Sequence, residues 1–75
     1  MEMDSQILDA VLSYNLTLIS ERLEQAHSIA KAAQACADAG NISKGLEIVL
    51  DIEQLIHEVN TALNAACMLS RIGQP

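Results

Sequence analysis

The sequence predicts an all-α protein, an antiparallel two-helix hairpin that pairs with a second copy into a four-helix bundle. Apolar residues recur at three- and four-residue spacing on both sides of one internal break, and the only proline is the last residue. Pairing is expected because 75 residues with one aromatic side chain bury too little surface for a stable single copy. Residues 1–75 are predicted to form a single domain.

The internal break fixes the order of the elements. Helix 1 is predicted over about residues 4–39, the turn over 40–42 and helix 2 over about 43–72. Gly40 and Asn41 tolerate the left-handed conformation that closes a helix, and an asparagine can also cap the helix that follows.

The outer ends of the two helices carry their own signals. Asp4 is a predicted cap for helix 1, with Met3 and Leu8 placed as a hydrophobic staple around it. Arg71 followed by Gly73 is typical of the end of a helix.

The two apolar stripes also predict the register of the hairpin, because facing residues in an antiparallel pair have a constant sum of residue numbers. The predicted facing pairs are Leu12 with Leu69, Asn15 with Ala66, Ile19 with Ala62, Arg22 with Val59, Ala26 with Leu55, Ile29 with Ile52, Ala33 with Ile48, and Cys36 with Gly45. Several pairs set a large residue against a small one, which fills space without voids. The pair nearest the turn combines two small residues and lets the helices converge there.

Both helices carry more apolar surface than one neighbour covers. Ile7 and Tyr14 widen the stripe of helix 1, and a seven-residue repeat runs along helix 2. A two-stranded pair needs two apolar positions per heptad, whereas a bundle uses three or more. The dimer or partner interface is therefore predicted at Val11, Leu18, Ile42, Val49, Ile56 and Leu63. A different protein covering this surface is the alternative to self-association.

Two polar residues interrupt the stripe of helix 1. Asn15 and Arg22 both occupy facing positions, where a polar residue commonly fixes register or oligomeric state. A contact with a partner is the alternative role for both residues. Arg22 is also placed to pair with Glu58 across the hairpin.

A metal centre is the main chemical hypothesis to weigh. Glu24 and His27 have the spacing by which one helix offers two ligands to a di-metal site, and helix 2 supplies Glu53 and His57 at nearly the same level. Ligands of a bundle site must point inward, whereas all four lie off the predicted stripes. We therefore expect solvated side chains, no metal and no cofactor, with a metal-binding bundle as the minority alternative.

No catalytic residues are predicted, and the protein is not expected to be an enzyme. The sequence contains neither a glycine-rich phosphate loop nor a nucleophile elbow. Cys36 and Cys67 are expected to be free thiols in a reducing compartment, and both are interpreted as small core residues.

Net charge excludes several classes of partner. At −6, the chain has no basic surface for a phosphate backbone or an anionic membrane, so neither nucleic acid nor membrane is expected. The N-terminus lacks the features of a signal peptide, and a cytoplasmic location is predicted. Glu47, Asp51 and Glu58 lie on one side of helix 2, and this ridge is either a solvated face or a docking strip for a basic helix or loop.

In shape and length, the predicted bundle resembles the small dimeric helical-hairpin regulators of plasmid RNA. Their RNA-binding face is basic, whereas this chain has only four widely spread basic residues, so RNA binding is not carried over. Small acidic hairpins also resemble the chaperones that sheathe subunits of bacterial secretion systems. The leading hypothesis is a small bacterial regulatory or protein-protein interaction module that acts through the helix faces of a homodimer. A chaperone or subunit that completes its core with a different protein is the alternative.

Overall fold

The protein is a helical hairpin, as predicted. A computed structural model describes residues 5–72 and contains helices α1 (Ser5–Asp38), α2 (Ile42–Val49) and α3 (Ile52–Ile72). α1 packs against both α2 and α3, which together form the second arm. Three of the predicted end signals lie outside the described residues: Met3, Asp4 and Gly73.

The turn between the arms is built as a Schellman motif. The Gly40 N–H donates to the Ala37 carbonyl at 3.0 Å, and the Asn41 N–H donates to the Cys36 carbonyl at 2.9 Å. Gly40 has a φ of 91°, a conformation that favours glycine because it has no Cβ. The Asn41 side chain then caps α2 by accepting a hydrogen bond from the Lys44 N–H at 3.0 Å. The roles predicted for both turn residues are confirmed.

The second arm is bent, which corrects the prediction of one continuous helix over about 43–72. α2 begins at Ile42, and Leu50 and Asp51 separate it from α3. The Asp51 N–H donates to the Ile48 carbonyl at 3.1 Å, and the Glu53 N–H to the Leu50 carbonyl at 3.2 Å. These three-residue spacings are tighter than in an α-helix. β-branched residues and an aspartate lower the helix propensity at this point, but no glycine or proline marks it in the sequence.

The core is a narrow strip between the arms. Every residue of the predicted facing pairs is buried or half-buried, so all of them lie in this strip. The Arg22–Glu58 ion pair and the approach of Gly45 to Ala33 and Ala37 agree with the predicted register. The apolar side chains buried among residues 5–72 are only those of Ala26, Ala33 and Ala62, and the larger facing residues remain half-buried. One layer of two helices therefore contains no large side chain that is fully sequestered from water within the described range.

The dimensions are those of an elongated molecule with a large exposed surface. The chain extends over 57 × 14 × 13 Å with a radius of gyration of 17.2 Å, whereas a compact domain of this length has about 11 Å. Its accessible surface is 5728 Å², against roughly 4,500 Å² for a compact monomer of this mass. Stable domains normally pack at least two layers around one core, and this hairpin is a single layer.

Candidate interaction surfaces

A groove runs along each flank of the hairpin, between α1 and the second arm. The groove near the turn, which we call the α1–α2 groove, is lined by Ala30, Ala33, Gln34, Ala37, Ile42, Gly45, Leu46 and Val49. The groove on the opposite flank is lined by Asn15, Leu18, His57, Glu58, Thr61, Ala62 and Ala65. Helical handedness explains the division. In both arms, residues directly after a facing position lie on the first flank, and residues directly before one lie on the second.

The first flank carries a continuous apolar strip beside the facing positions. The Ile42 face, as we define it, consists of Leu16, Leu23, Ala30 and Ala37 from α1 with Ile42, Val49, Ile56 and Leu63 from the second arm. Ala30, Ala37, Ile42 and Val49 line the α1–α2 groove, and steps of seven residues along each arm give the other four members. Its large side chains are well exposed, from 36% for Val49 to 64% for Ile42. No member is polar or charged. The surface therefore has the composition of a protein interior, although its side chains are exposed to water.

The second flank has a different composition. The Glu58 face, as we define it, consists of Val11, Leu18, Gln25 and Ala32 from α1 with Asp51, Glu58, Ala65 and Ile72 from the second arm. Val11 and Leu18 are thereby separated from the other four residues of the predicted interface, which all lie on the Ile42 face. The two residues directly precede Leu12 and Ile19, and this placement puts them on the opposite flank. The predicted set is therefore divided between two surfaces.

An ion pair closes the Glu58 face across the arms. The Arg22 Nε lies 2.6 Å from the Glu58 Oε2, with 29% and 37% of the two side chains exposed. The contact confirms the predicted pairing of Arg22 with Glu58. Asn15, the other polar residue at a facing position, is half-buried and lines the groove on this flank.

The predicted acidic strip is not continuous. Glu58 is half-buried and turned toward α1 by its pairing with Arg22, so it does not belong to a free ridge. Glu47 and Asp51 remain exposed, and a Glu47 carboxylate oxygen lies 3.6 Å from the Lys44 Nζ. The bend between α2 and α3 also interrupts the ridge. Only the two exposed carboxylates near the turn remain as a candidate docking strip.

The four residues of the metal-binding alternative are all solvent-exposed side chains. Glu24, His27, Glu53 and His57 are all exposed, and within residues 5–72 no three histidine, cysteine or acidic side chains are grouped to hold a metal ion. Glu53 and His57 line a shallow depression with Leu50 and Gln54, so all of its lining residues belong to the second arm or its bend.

The two cysteines differ in their surroundings. Both are free; Cys36 is half-buried at its predicted facing position near the turn, and Cys67 is exposed. The interpretation of Cys67 as a core residue is wrong, because it follows the facing residue Ala66 and lies on the flank of the hairpin.

Leu16, Leu23 and Leu46 are interface candidates that the sequence analysis missed. They are 63%, 46% and 62% exposed. Leu16 and Leu23 precede Ala30 by fourteen and seven residues, and each of the three directly follows a facing position. They could have been found from the sequence by asking, for each apolar residue, whether it directly follows or directly precedes a facing position.

The chain matches no protein-family model, no curated protein and no solved structure. None of the helices within residues 5–72 has the length and apolar character needed to cross a membrane.

Proposed function

We propose that the protein is a non-enzymatic, cytoplasmic interaction or regulatory module that works as a homodimeric four-helix bundle. The Ile42 face is the observation that carries this proposal. It presents apolar side chains from both arms at matching levels, Leu16 with Leu63 and Ala37 with Ile42 at its ends. A monomer rarely leaves so continuous an apolar surface in water. A second hairpin packed on it would supply the missing second layer.

The size of the Ile42 face suits a dimer. It spans the helix from residue 16 to residue 37, which is about 30 Å at 1.5 Å per residue. Two adjacent helices are roughly 20 Å wide, so two such faces bury on the order of 1,200 Å² in total. Specific interfaces begin at about this area. Self-association is favoured over a different occupant because most soluble oligomers are homo-oligomers with twofold symmetry.

The surfaces left outside the dimer would carry the contacts with other proteins. Each copy has a net charge of −6, and Glu47 and Asp51 are exposed near the turn. An acidic exterior steers association with a basic helix or loop more than it adds affinity. We propose such a basic protein surface as the partner of the homodimer.

Sedimentation of the wild-type chain and of Ile56→Glu over a range of concentrations tests the homodimer. Ile56 lies in the Ile42 face and is 40% exposed in the single hairpin. We expect a wild-type dimer and a monomeric variant with reduced helicity, because the substitution places a carboxylate in the dimer core and the lone hairpin is marginal. A wild type that is already a well-folded monomer, with an equally folded variant, would refute the homodimer.

A second candidate function is a chaperone or assembly subunit that completes its core with a different protein. The observation that favours it is a group of exposed apolar residues at the end of the hairpin opposite the turn, on the flank of the Glu58 face: Ile7 (58%), Tyr14 (68%), Met68 (63%) and Ile72 (61%). The proposed dimer leaves this group in water. A wild-type chain that is a molten or aggregating monomer at micromolar concentration would favour this second function over the first.

A further inference from the structure

The Ile42 face changes in shape along its length. Near the turn, its α1 side consists of Ala30 and Ala37, and the floor of the α1–α2 groove is formed by Ala33 and Gly45. The arms approach each other closely there, because a Cβ on Gly45 would lie 2.8 Å from the Ala33 carbonyl oxygen. This end of the face is a depression with Ile42, Leu46 and Val49 as its wall.

The other end of the face protrudes. Its α1 side consists of Leu16 and Leu23, which are 63% and 46% exposed. On the second arm, Leu63 lies beside Leu16 and Ile56 lies beside Leu23, and both of these residues are also large. One face thus carries two projecting leucines at one end and a small-residue groove at the other.

Twofold symmetry allows two ways of packing one Ile42 face on another. In the first, the two turns lie at the same end. Ala37 and Ala30 of each copy then face Ile42 and Val49 of the other copy. At the far end, large residues face only large residues, because Leu16 faces Leu63 and Leu23 faces Ile56. The bundle would then be too thin at the turns and crowded at the open end. If the turns lie at opposite ends, Leu16 meets Ala37 and Leu23 meets Ala30, so every layer combines large and small residues as dense packing requires.

We infer that two copies of the chain pack with their turns at opposite ends, so that Leu16 and Leu23 of each copy enter the α1–α2 groove of the other. This inference rests on the proposed homodimer and adds its orientation and its principal contacts. The two leucines are seven residues apart, as are Ala30 and Ala37, so both pairs engage in a single register. Symmetry repeats the contact, and each copy both supplies the leucines and provides the groove.

The distance between the two turns tests the orientation directly. One nitroxide label per chain is attached at Ala39→Cys, an exposed turn residue, with Cys36→Ala and Cys67→Ser removing the native thiols. The opposite-end dimer places the two labels about 40 Å apart along the bundle, whereas the same-end dimer keeps them within roughly 20 Å. Asp38→Cys, one residue away and also exposed, serves as a second label site.

A size swap tests the contact without removing the native cysteines. Leu23→Ala alone should weaken dimerisation at least about tenfold, since it empties two symmetric contacts. Ala30→Leu alone should also weaken it by overfilling the groove. In the opposite-end dimer the double variant restores the large-small pair and recovers most of the affinity. In the same-end dimer the two sites face different residues, and the double variant is weaker than either single variant.

The outcomes separate this inference from the proposed function. A wild type that stays monomeric refutes both. A wild-type dimer with labels within about 20 Å, or with no recovery in the Leu23→Ala, Ala30→Leu variant, refutes the opposite-end orientation and leaves the homodimer standing. Labels about 40 Å apart together with recovery in the double variant establish the orientation.

Discussion

The Ile42 face and the Glu58 face are built on the same hairpin, yet only the first is apolar along its whole length, as the core of a homodimer requires. On the Ile42 face, both arms contribute apolar residues at every level. On the Glu58 face, Gln25 lies level with Glu58 and Ala32 with Asp51, so a partner packed there would have to desolvate two carboxylates. The chain is 51% hydrophobic overall. A docking surface therefore differs from an apolar stripe in being continuous across the two arms, a property that composition does not reveal.

A matched pair of valine substitutions gives the largest expected difference between the two faces. Val49 on the Ile42 face and Val11 on the Glu58 face are each 36% exposed. Val49→Glu should weaken dimerisation by more than about a hundredfold, because twofold symmetry buries two carboxylates. Val11→Glu should change the dissociation constant of the dimer by less than about threefold, because Val11 lies outside the interface and faces water. Analytical ultracentrifugation of the two variants measures both constants, and equal effects would contradict the division into two faces.

The register and the fold could be predicted from the sequence because they depend on local, periodic information. The seven-residue spacing of Ala26 and Ala33 in helix 1, and the three- and four-residue spacing around Ala62 in helix 2, mark buried positions, and Gly40 marks the turn. The division of the predicted interface could not be obtained from an apolar count. Whether Leu18 or Leu23 lies on a given flank depends on which side of a facing position each residue occupies. The bend at Leu50 escaped prediction because no glycine or proline produces it.

Gly45→Ala should have the next largest effect, since it alters the floor of the groove on the Ile42 face. A Cβ there meets the Ala33 carbonyl oxygen at 2.8 Å, and backbone cannot rotate away, so α2 must shift outward. We expect a loss of about 1–3 kcal/mol from this overpacking, reduced by the higher helix propensity of alanine. Thermal unfolding measures it, with Ser43→Ala, an exposed position of the same helix, as the control. Equal melting temperatures for Gly45→Ala and Ser43→Ala would contradict the close approach.

The ion pair of the Glu58 face should contribute less. Arg22 and Glu58 are 2.6 Å apart but about one-third exposed, so water and salt weaken their attraction. A double-mutant cycle with Arg22→Gln and Glu58→Gln should give a coupling of about 0.5–1 kcal/mol that falls as sodium chloride is raised. A coupling above about 2 kcal/mol that does not respond to salt would instead indicate that this face is buried in the assembled protein.

The smallest effect is expected at His27, which lies at the edge of the Ile42 face. Its substitution tests whether this edge contributes to stability or binds a metal ion. His27 and Glu53 directly follow the facing residues Ala26 and Ile52, so both lie on the flank of that face, yet both are exposed. A solvated side chain at the rim of an interface contributes little, and His27→Ala should change stability by less than about 0.5 kcal/mol. Thermal unfolding and metal analysis of protein purified without chelator measure this, with Ser20→Ala, an exposed residue that also directly follows a facing position, as the control. A metal site shared between two copies would give a different result. His27→Ala alone would then lower the melting temperature by several degrees and release bound iron, manganese or zinc.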